Sequence, residues 1–273
     1  MEPNSDSQKA HPLGIEDAKV TVETVRGHFN EIPSILYYTR AAHFLGLWKS
    51  ERLLIERFLP DPNTRVLEAG CGAGRVAMGL WKLGYRNIAA FDFASELLDQ
   101  AQSLASEHGA SEILFRCADA TQVERSAFGL RDGEAFGGAL FMFNGLMQIP
   151  GRLSRRSALA RIRALCAPGA PFIFTTHDRE NSHDDGNFWP AERDRWEKGR
   201  QDPRLREFGD RHFNDESGKV FIHIPDRREI LEDLAQTGWS HVADTMRSDL
   251  VLETPAVAEF SDDCRFWVAR RDG

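Results

Sequence analysis

The spacing of apolar positions changes along the chain and divides it into regions. From residue 17 to 59 they recur every three or four places, most regularly in RAAHFLGLWKSERLLIERFL, until Pro60 and Pro62 stop the pattern. That spacing predicts helices with one buried face. Beyond it the runs shorten and alternate. TRVLEAG is a β-rich run closed by glycine, RVAMGLWKLG is helix-like, NIAAFD is a buried-strand pattern, and SELLDQAQSLASEHG is again helical. EILFRCAD and FGGALFMFN follow as strands, SRRSALARIRALCAPG as an amphipathic helix, and PFIFTTHD as a fifth strand. Strands alternating with helices of about 10–15 residues predict βαβ units, a parallel sheet and right-handed crossovers.

The alternation breaks after Asp178. Residues 179–225 are polar, hold Trp189 and Trp196, and end in FGDRHFNDESGKVFIHIP, a hairpin pattern around Asn214–Gly218. A helix resumes at Pro225 and closes at Gly238, and HVADTMRSDLV and CRFWVARR supply two last strands. The expected organisation is a flexible leader over 1–16, a helical cap over 17–59, a core over 60–178, a lid insertion over 179–225, and the rest of the core over 226–273.

Composition narrows the function. A chain of 273 residues with 41% hydrophobic content can bury a proper core. Its formal net charge of −8 disfavours a nucleic-acid partner, because such proteins usually present a basic face. The local run Arg152, Arg155, Arg156, Arg161 and Arg163 has helical spacing and reads as a solvated helix face. Four dispersed cysteines suit free thiols in a reducing compartment. With no apolar stretch near the roughly 18 residues of a membrane span and no signal-peptide order at the N-terminus, the expectation is a cytoplasmic protein with no membrane partner, a monomer or homodimer.

The chemistry concentrates where the first strand meets its helix, in Val66-Leu67-Glu68-Ala69-Gly70-Cys71-Gly72-Ala73-Gly74. Glycines there allow a sharp turn and a close approach to a ligand, and the helix start offers free N–H donors. A dinucleotide fingerprint would need glycine or alanine where Arg75 stands. Glu68, two residues before the first glycine, would repel a pyrophosphate but suits a ligand carrying an ammonium and a sulfonium. Asp92 closes the second strand, where a carboxylate can take both hydroxyls of a ribose. Asp119 closes the third, within reach of an adenine amino group.

Together these residues resemble the class I S-adenosylmethionine-dependent methyltransferases, bacterial members of unassigned substrate. The resemblance covers roughly residues 60–178 by motif and reaches the C-terminus by strand order. It implies a doubly wound α/β fold with a seven-stranded, mostly parallel sheet whose last strand is antiparallel, N-terminal helices, and a lid insertion after the fifth strand. Glu68 with Gly70, Cys71, Gly72 and Gly74 would hold the methionine part of S-adenosylmethionine. Asp92 would hold the ribose, Ala118 and Asp119 the adenine, and Phe93 would lie against the adenine face.

The fourth strand runs into Phe143-Asn144-Gly145-Leu146-Met147-Gln148. In the family this segment passes beneath the transferred methyl, so Asn144 is a candidate for both cofactor and catalysis. Amino-methyltransferases of nucleic acid or protein often carry Asn/Asp-Pro-Pro-Phe/Tyr there, which this chain lacks. His177, after the fifth strand, is the candidate base or substrate contact. Tyr37, Tyr38, Gln148, Asp178, Trp189, His212 and His223 are the candidate acceptor contacts, because N-terminal helices and this insertion commonly cover the family's active site. The cluster His177, Asp178, His183, Asp184 and Asp185 reads as a polar lid loop, and no metal is expected. The stretch Asp262-Asp263-Cys264-Arg265 is left without a role. The leading expectation is methyl transfer to O or N of a small molecule. A tRNA or protein methyltransferase, a catalytically silent S-adenosylmethionine-binding regulator, and a cyclase or decarboxylase on the same fold are the alternatives.

Overall fold

The computed structural model describes residues 18–181 and 187–273. The expected leader over 1–16 and His183, Asp184 and Asp185 lie outside the described residues. Three helices open the chain: α1 (Val22–Phe29), α2 (Ile32–Phe44) and α3 (Lys49–Phe58). Then come β1 (Val66–Ala69), α4 (Arg75–Lys82), β2 (Ile88–Asp92), α5 (Ser95–Glu107), β3 (Leu114–Cys117), β4 (Gly138–Phe141), α6 (Arg152–Leu165) and β5 (Pro171–Thr176). The insertion supplies α7 (Phe188–Glu197) and a hairpin of β6 (Asp210–Asp215) and β7 (Gly218–His223). The chain ends with α8 (Arg227–Gln236), β8 (Trp239–Met246), α9 (Arg247–Leu250), α10 (Pro255–Phe260) and β9 (Arg265–Arg271).

Seven strands form one sheet in the order β3-β2-β1-β4-β5-β9-β8. All neighbours are parallel except β9, which runs antiparallel to both β5 and β8. The central strands are buried along their whole length, as a sheet covered on both faces requires. Their side chains alternate between two cores. Val66, Ala90, Leu140 and Ile173 face one layer with α3, α4 and α5, while Leu67, Ala89, Ala139 and Phe172 face the other with α6 and α8. Strand order reverses between β1 and β4, so the loops after these two strands diverge and leave a crevice at the carboxyl edge.

Two local readings change. The stretch SDLV does not extend the strand before it: Arg247–Leu250 is a helical turn, followed by the short α10. The last strand therefore starts from a helical connection, whose Thr254 caps α10. The arginine run of α6 is also not a solvated face. Arg155 is fully buried and pairs with Glu207 at 2.9 Å and Glu229 at 3.1 Å. Arg152 and Arg156 both reach the buried Asp233 of α8, at 2.8 and 2.6 Å. These arginines tie α6 to α8 and to the insertion.

His223 sits inside that network, fully buried, with Nδ1 2.8 Å from Asp210 and Nε2 2.9 Å from Glu229. Burial lowers the His223 pKa, but the hydrogen bonds to the two carboxylates raise it further, and the net shift is upward. Burial likewise pushes Glu229 up, yet the bond from His223 and the charges of His223, Arg155 and Arg179 outweigh it and hold the pKa at about 2. The signs follow by linkage. The Glu229 contribution is present above pH 4.5 and is lost as pH falls toward about 2. The His223 contribution is full below pH 6.5 and is lost as pH rises through its raised folded value. Glu229→Gln should destabilise the chain by roughly 3 kcal/mol near neutrality, because it leaves buried charges unmatched. It should also flatten the acid limb between pH 4.5 and 2. Denaturant unfolding across pH checks both; an unchanged acid limb would remove Glu229 from the account.

Candidate active site

The turn after β1 places three glycines at positive φ: Gly70 at 61°, Gly72 at 51° and Gly74 at 84°. A side chain at Gly70 would overlap the Phe141 ring of β4, whereas the space around Gly72 is open. Gly74 caps α4, and a Cβ there would lie 3.0 Å from Ala101 of α5. Two backbone donors after β1 and β2 are fixed by one carboxylate. Asp92 accepts from Gly72 N–H at 2.8 Å and from Ala94 N–H at 2.9 Å. Burial raises the Asp92 pKa, and these backbone bonds only partly offset it.

A cavity opens above this turn. Its walls include Glu68, Gly70, Cys71, Gly72, Asp92, Phe93, Ala118 and Asp119. Gly74 stands back from it as a cap. The Glu68 side chain is 2% exposed and its Oε2 has no hydrogen-bond partner. Burial drives the Glu68 pKa well above the usual carboxylate range, against the opposing charge of Arg75. A buried carboxyl with an open acceptor beside this turn can accept a hydrogen bond from a cationic ligand. That donor set fits the aminocarboxypropyl sulfonium of S-adenosylmethionine. Asp119 Oδ1 accepts from Thr121 N–H and Oγ–H, both at 2.8 Å, and Oδ2 faces Arg26 at 3.9 Å. Arg26 also lies 5.5 Å over the Phe93 ring.

A second cavity adjoins the first and shares Tyr38, Phe143, Gln148 and Phe260 with it. It is walled by Tyr37, Asn144, His177 and Asp178, by the hairpin residues Phe213, Asp215, Ser217, Val220 and Ile222, and by Asp262 and Asp263. Asn144 thus lies on this side and not in the glycine-loop cavity. Phe143 and Asn144 both adopt left-handed backbone conformations, φ 53° and 59°. Asn144 N–H donates to Thr175 Oγ1 at 2.8 Å. Its amide Nδ2 lies 3.1 Å from His177 Nε2, and His177 Nδ1 lies 3.3 Å from the Asp263 carbonyl oxygen. A ring that donates from Nδ1 accepts at Nε2, which leaves Asn144 Oδ1 buried and unpartnered. Burial lowers the His177 pKa.

Several expected acceptor contacts lie elsewhere. His223 is consumed by the ion network described above and lines neither cavity. His212 packs against His28, with ring centroids 5.6 Å apart. Trp189 packs edge-on against Phe188 and Phe208, under the Arg179 guanidinium. Asp178 does reach the second cavity, but its carboxylate is occupied by Glu180 N–H, Asn181 Nδ2 and Arg265. Conversely, Phe143, Phe260, Asp215, Asp262 and Asp263 line the cavity although the sequence reading gave none of them a role. Among these only Phe143 had a signal, its place beside Asn144. The Arg75 side chain also has a use no motif showed: it forms a two-pronged pair with the fully buried Glu51 of α3, at 2.6 and 2.7 Å.

Residues 66–169 match the family model described as a methyltransferase domain. Among curated proteins no sequence matches the chain. Solved structures match over most of its length. A SAM-dependent methyltransferase from Methanosarcina mazei is 17% identical, with a TM-score of 0.61 over 83% of this chain and 99% of that one. Magnesium protoporphyrin IX methyltransferase from Synechocystis PCC 6803, with bound SAM, is 15% identical, with a TM-score of 0.57 over 92% and 96%. The 4+2 cyclase SpnF is 17% identical, with a TM-score of 0.62 over 93% and 98%. The match over residues 66–169 marks that stretch as similar to a methyltransferase domain, and the seven-stranded sheet has the fold of these S-adenosylmethionine-dependent methyltransferase structures.

Proposed function

We propose that the chain transfers a methyl group from S-adenosylmethionine to nitrogen or oxygen of a small molecule. The observation that carries this reading is the junction of two cavities at Tyr38, Phe143, Gln148 and Phe260. One has the open Glu68 carboxyl at its glycine-turn end, and the other has Asn144 and His177 in its wall. The similarity to a porphyrin methyltransferase, whose acceptor is a small molecule, agrees with a bounded acceptor chamber.

In this reading Glu68 takes the ammonium of the methionine part, and the backbone of Gly70, Cys71 and Gly72 lies along it. Asp92 has lone pairs left after its two backbone bonds, and these accept the ribose hydroxyls. Asp119 uses Oδ2 for the adenine amino group, while Phe93 and Ala118 flank the base. When bound, S-adenosylmethionine supplies an electrophilic methyl on a cationic sulfur. The rest falls to the chain's own groups: Tyr37, Tyr38 and Gln148 orient the acceptor, Asn144 fixes its nucleophilic atom, and His177 fixes Asn144. The hairpin, bonded to α2 through Ser34 Oγ–H to the Ser217 carbonyl at 2.6 Å, serves as the lid that shuts out water.

Cofactor affinity should depend on pH with a definite sign. Only the ionised Glu68 attracts an ammonium, so affinity should rise with pH through the elevated Glu68 pKa and then level off. Calorimetry with S-adenosylmethionine on Glu68→Gln should find weaker binding and no such rise. Asp92→Ala should weaken binding by about 1.5–3 kcal/mol, the scale of hydrogen bonds to a charged group. Unchanged affinity, or binding of NADH in place of S-adenosylmethionine, would defeat the cofactor assignment. For the chemical step, Asn144→Ala and His177→Ala should each lower kcat by roughly 10–100-fold, the cost of losing orientation, with cofactor Kd nearly constant. Labelled-methyl transfer assays measure this, and full activity in both variants would move the chemistry elsewhere.

A further inference from the structure

We infer that the acceptor is an amine, drawn in by carboxylates at the mouth of the second cavity and methylated on nitrogen at its Asn144 floor. The inference rests on the reading that this cavity holds the acceptor, and it narrows that reading from nitrogen or oxygen to nitrogen.

The first observation is the buried amide. Asn144 is 4% exposed, lines the cavity, and keeps Oδ1 without a partner while Nδ2 is held by His177. An unpartnered buried carbonyl oxygen is destabilising until a donor arrives. It therefore asks for a ligand that brings an N–H or O–H to that point. A tertiary amine, an ether or a carboxylate would leave it unsatisfied.

The second observation separates N–H from O–H. A hydroxyl needs a base to become a competent nucleophile, and the groups around this floor are poor bases. The His177 lone pair at Nε2 is engaged by the Asn144 amide, and burial weakens the ring as a base. The Tyr37 and Tyr38 hydroxyls remain protonated, Tyr37 pushed up to about 12 and Tyr38 higher still, in both cases by burial first. Asp178 is spent on Arg265, Asn181 and Glu180. An uncharged amine needs no base at the moment of attack, because its lone pair is already free. Its nitrogen bonds to the methyl carbon as the carbon–sulfur bond breaks and that electron pair stays on sulfur. The proton of the resulting ammonium then leaves to water.

The third observation is the charge of the mouth. Asp215 uses one carboxylate oxygen on Ser217, and Asp262 has no side-chain partner among the described residues. Both lie close enough to raise the Tyr37 pKa. The facing cation, Arg211, lies over the Phe188 and Phe213 rings at 4.5 and 5.3 Å. Between mouth and floor stand Tyr37 and Phe260, stacked at 4.5 Å, with Phe143 5.4 Å from Phe260. Aromatic walls with carboxylates at the entrance favour an organic cation over a neutral or anionic ligand. Carboxylates at an exposed rim attract the ammonium form, and the drier floor favours its loss of a proton.

The test uses the full chain saturated with S-adenosylhomocysteine and matched probes: 2-phenylethylamine against 2-phenylethanol, and tryptamine against tryptophol. Each amine should bind at least about 10-fold more tightly than its alcohol by calorimetry, a difference of one favourable charge interaction. In Asp215→Asn/Asp262→Asn the amine preference should fall about 5–10-fold, with alcohol affinity little changed. Asn144→Leu, which fills the site without an acceptor oxygen, should weaken amine binding while the protein stays folded by circular dichroism. Equal affinity for amine and alcohol, or an alcohol preference, overturns the amine assignment and leaves the methyltransferase reading standing. Failure to bind S-adenosylhomocysteine at all would overturn that underlying reading instead.

Discussion

The buried pair of Arg75 and Glu51 is the contact through which the cap and the core become one structure. Arg75 is the first residue of α4, launched directly by the glycine turn, and its guanidinium grips both oxygens of a carboxylate that is 0% exposed. Two such charges out of water are tolerable only with good geometry and further hydrogen bonds to the remaining groups. Here Glu51 Oε2 also accepts from Trp48 N–H at 2.9 Å, and Arg75 also donates to the Gly46 carbonyl at 2.8 Å. The Trp48 indole lies under the Arg75 guanidinium at 4.6 Å and within 5.2 Å of Arg247. Arg247 in turn donates to the Ser261 carbonyl. A line of cations and one indole thus runs from the glycine turn to the segment holding Asp263, whose carbonyl steadies His177. The two ends of the crevice are mechanically joined through the cap.

That same pair explains why Glu68 is left open. Arg75 stands near enough to Glu68 to favour its charge, but the guanidinium is already committed to Glu51. Glu68 therefore sits in a buried position, short of a partner, with its pKa displaced upward. Asp92 shows the complementary case: it is equally deep, but its backbone donors are built in, so it organises the turn whether or not a ligand is present.

Legibility from the sequence followed the range of the interaction. Strands buried on both faces leave continuous apolar runs, and acids that close three successive strands fall at positions the alternation itself marks. Glu68, Asp92 and Asp119 could thus be picked out, and the structure gathers them around one cavity. The insertion was harder. His212, His223 and Trp189 are isolated letters in a polar stretch, and nothing local distinguishes a histidine aimed at a ligand from one clamped between carboxylates. The partners that decide the matter for His223 come from β6 and α8, with Arg155 of α6 beside them. The arginines of α6 misled for the same reason, since their counter-charges lie in α8 and the insertion. Asp262 and Asp263 gained meaning only once β9 was seen beside β5, which brings their loop against His177.

The turn after β4 shows how local strain is put to use. Left-handed conformations at two successive non-glycine residues, Phe143 and Asn144, cost of order 1–3 kcal/mol each and persist only where surroundings dictate them. Here the dictating contacts are visible. The Phe143 ring is set against Trp48, Tyr38 and Phe260, at 5.5, 6.0 and 5.4 Å, and Asn144 is held by Thr175 and His177. Gly145 follows because a side chain there would collide with Phe141. Within three residues the backbone presents Gly145 to the glycine-loop cavity, Asn144 to the other, and Phe143 to both. An unstrained helical or extended path would send these groups along one face. The strained turn splits them, and so creates a boundary across which a group could pass from one cavity to the other.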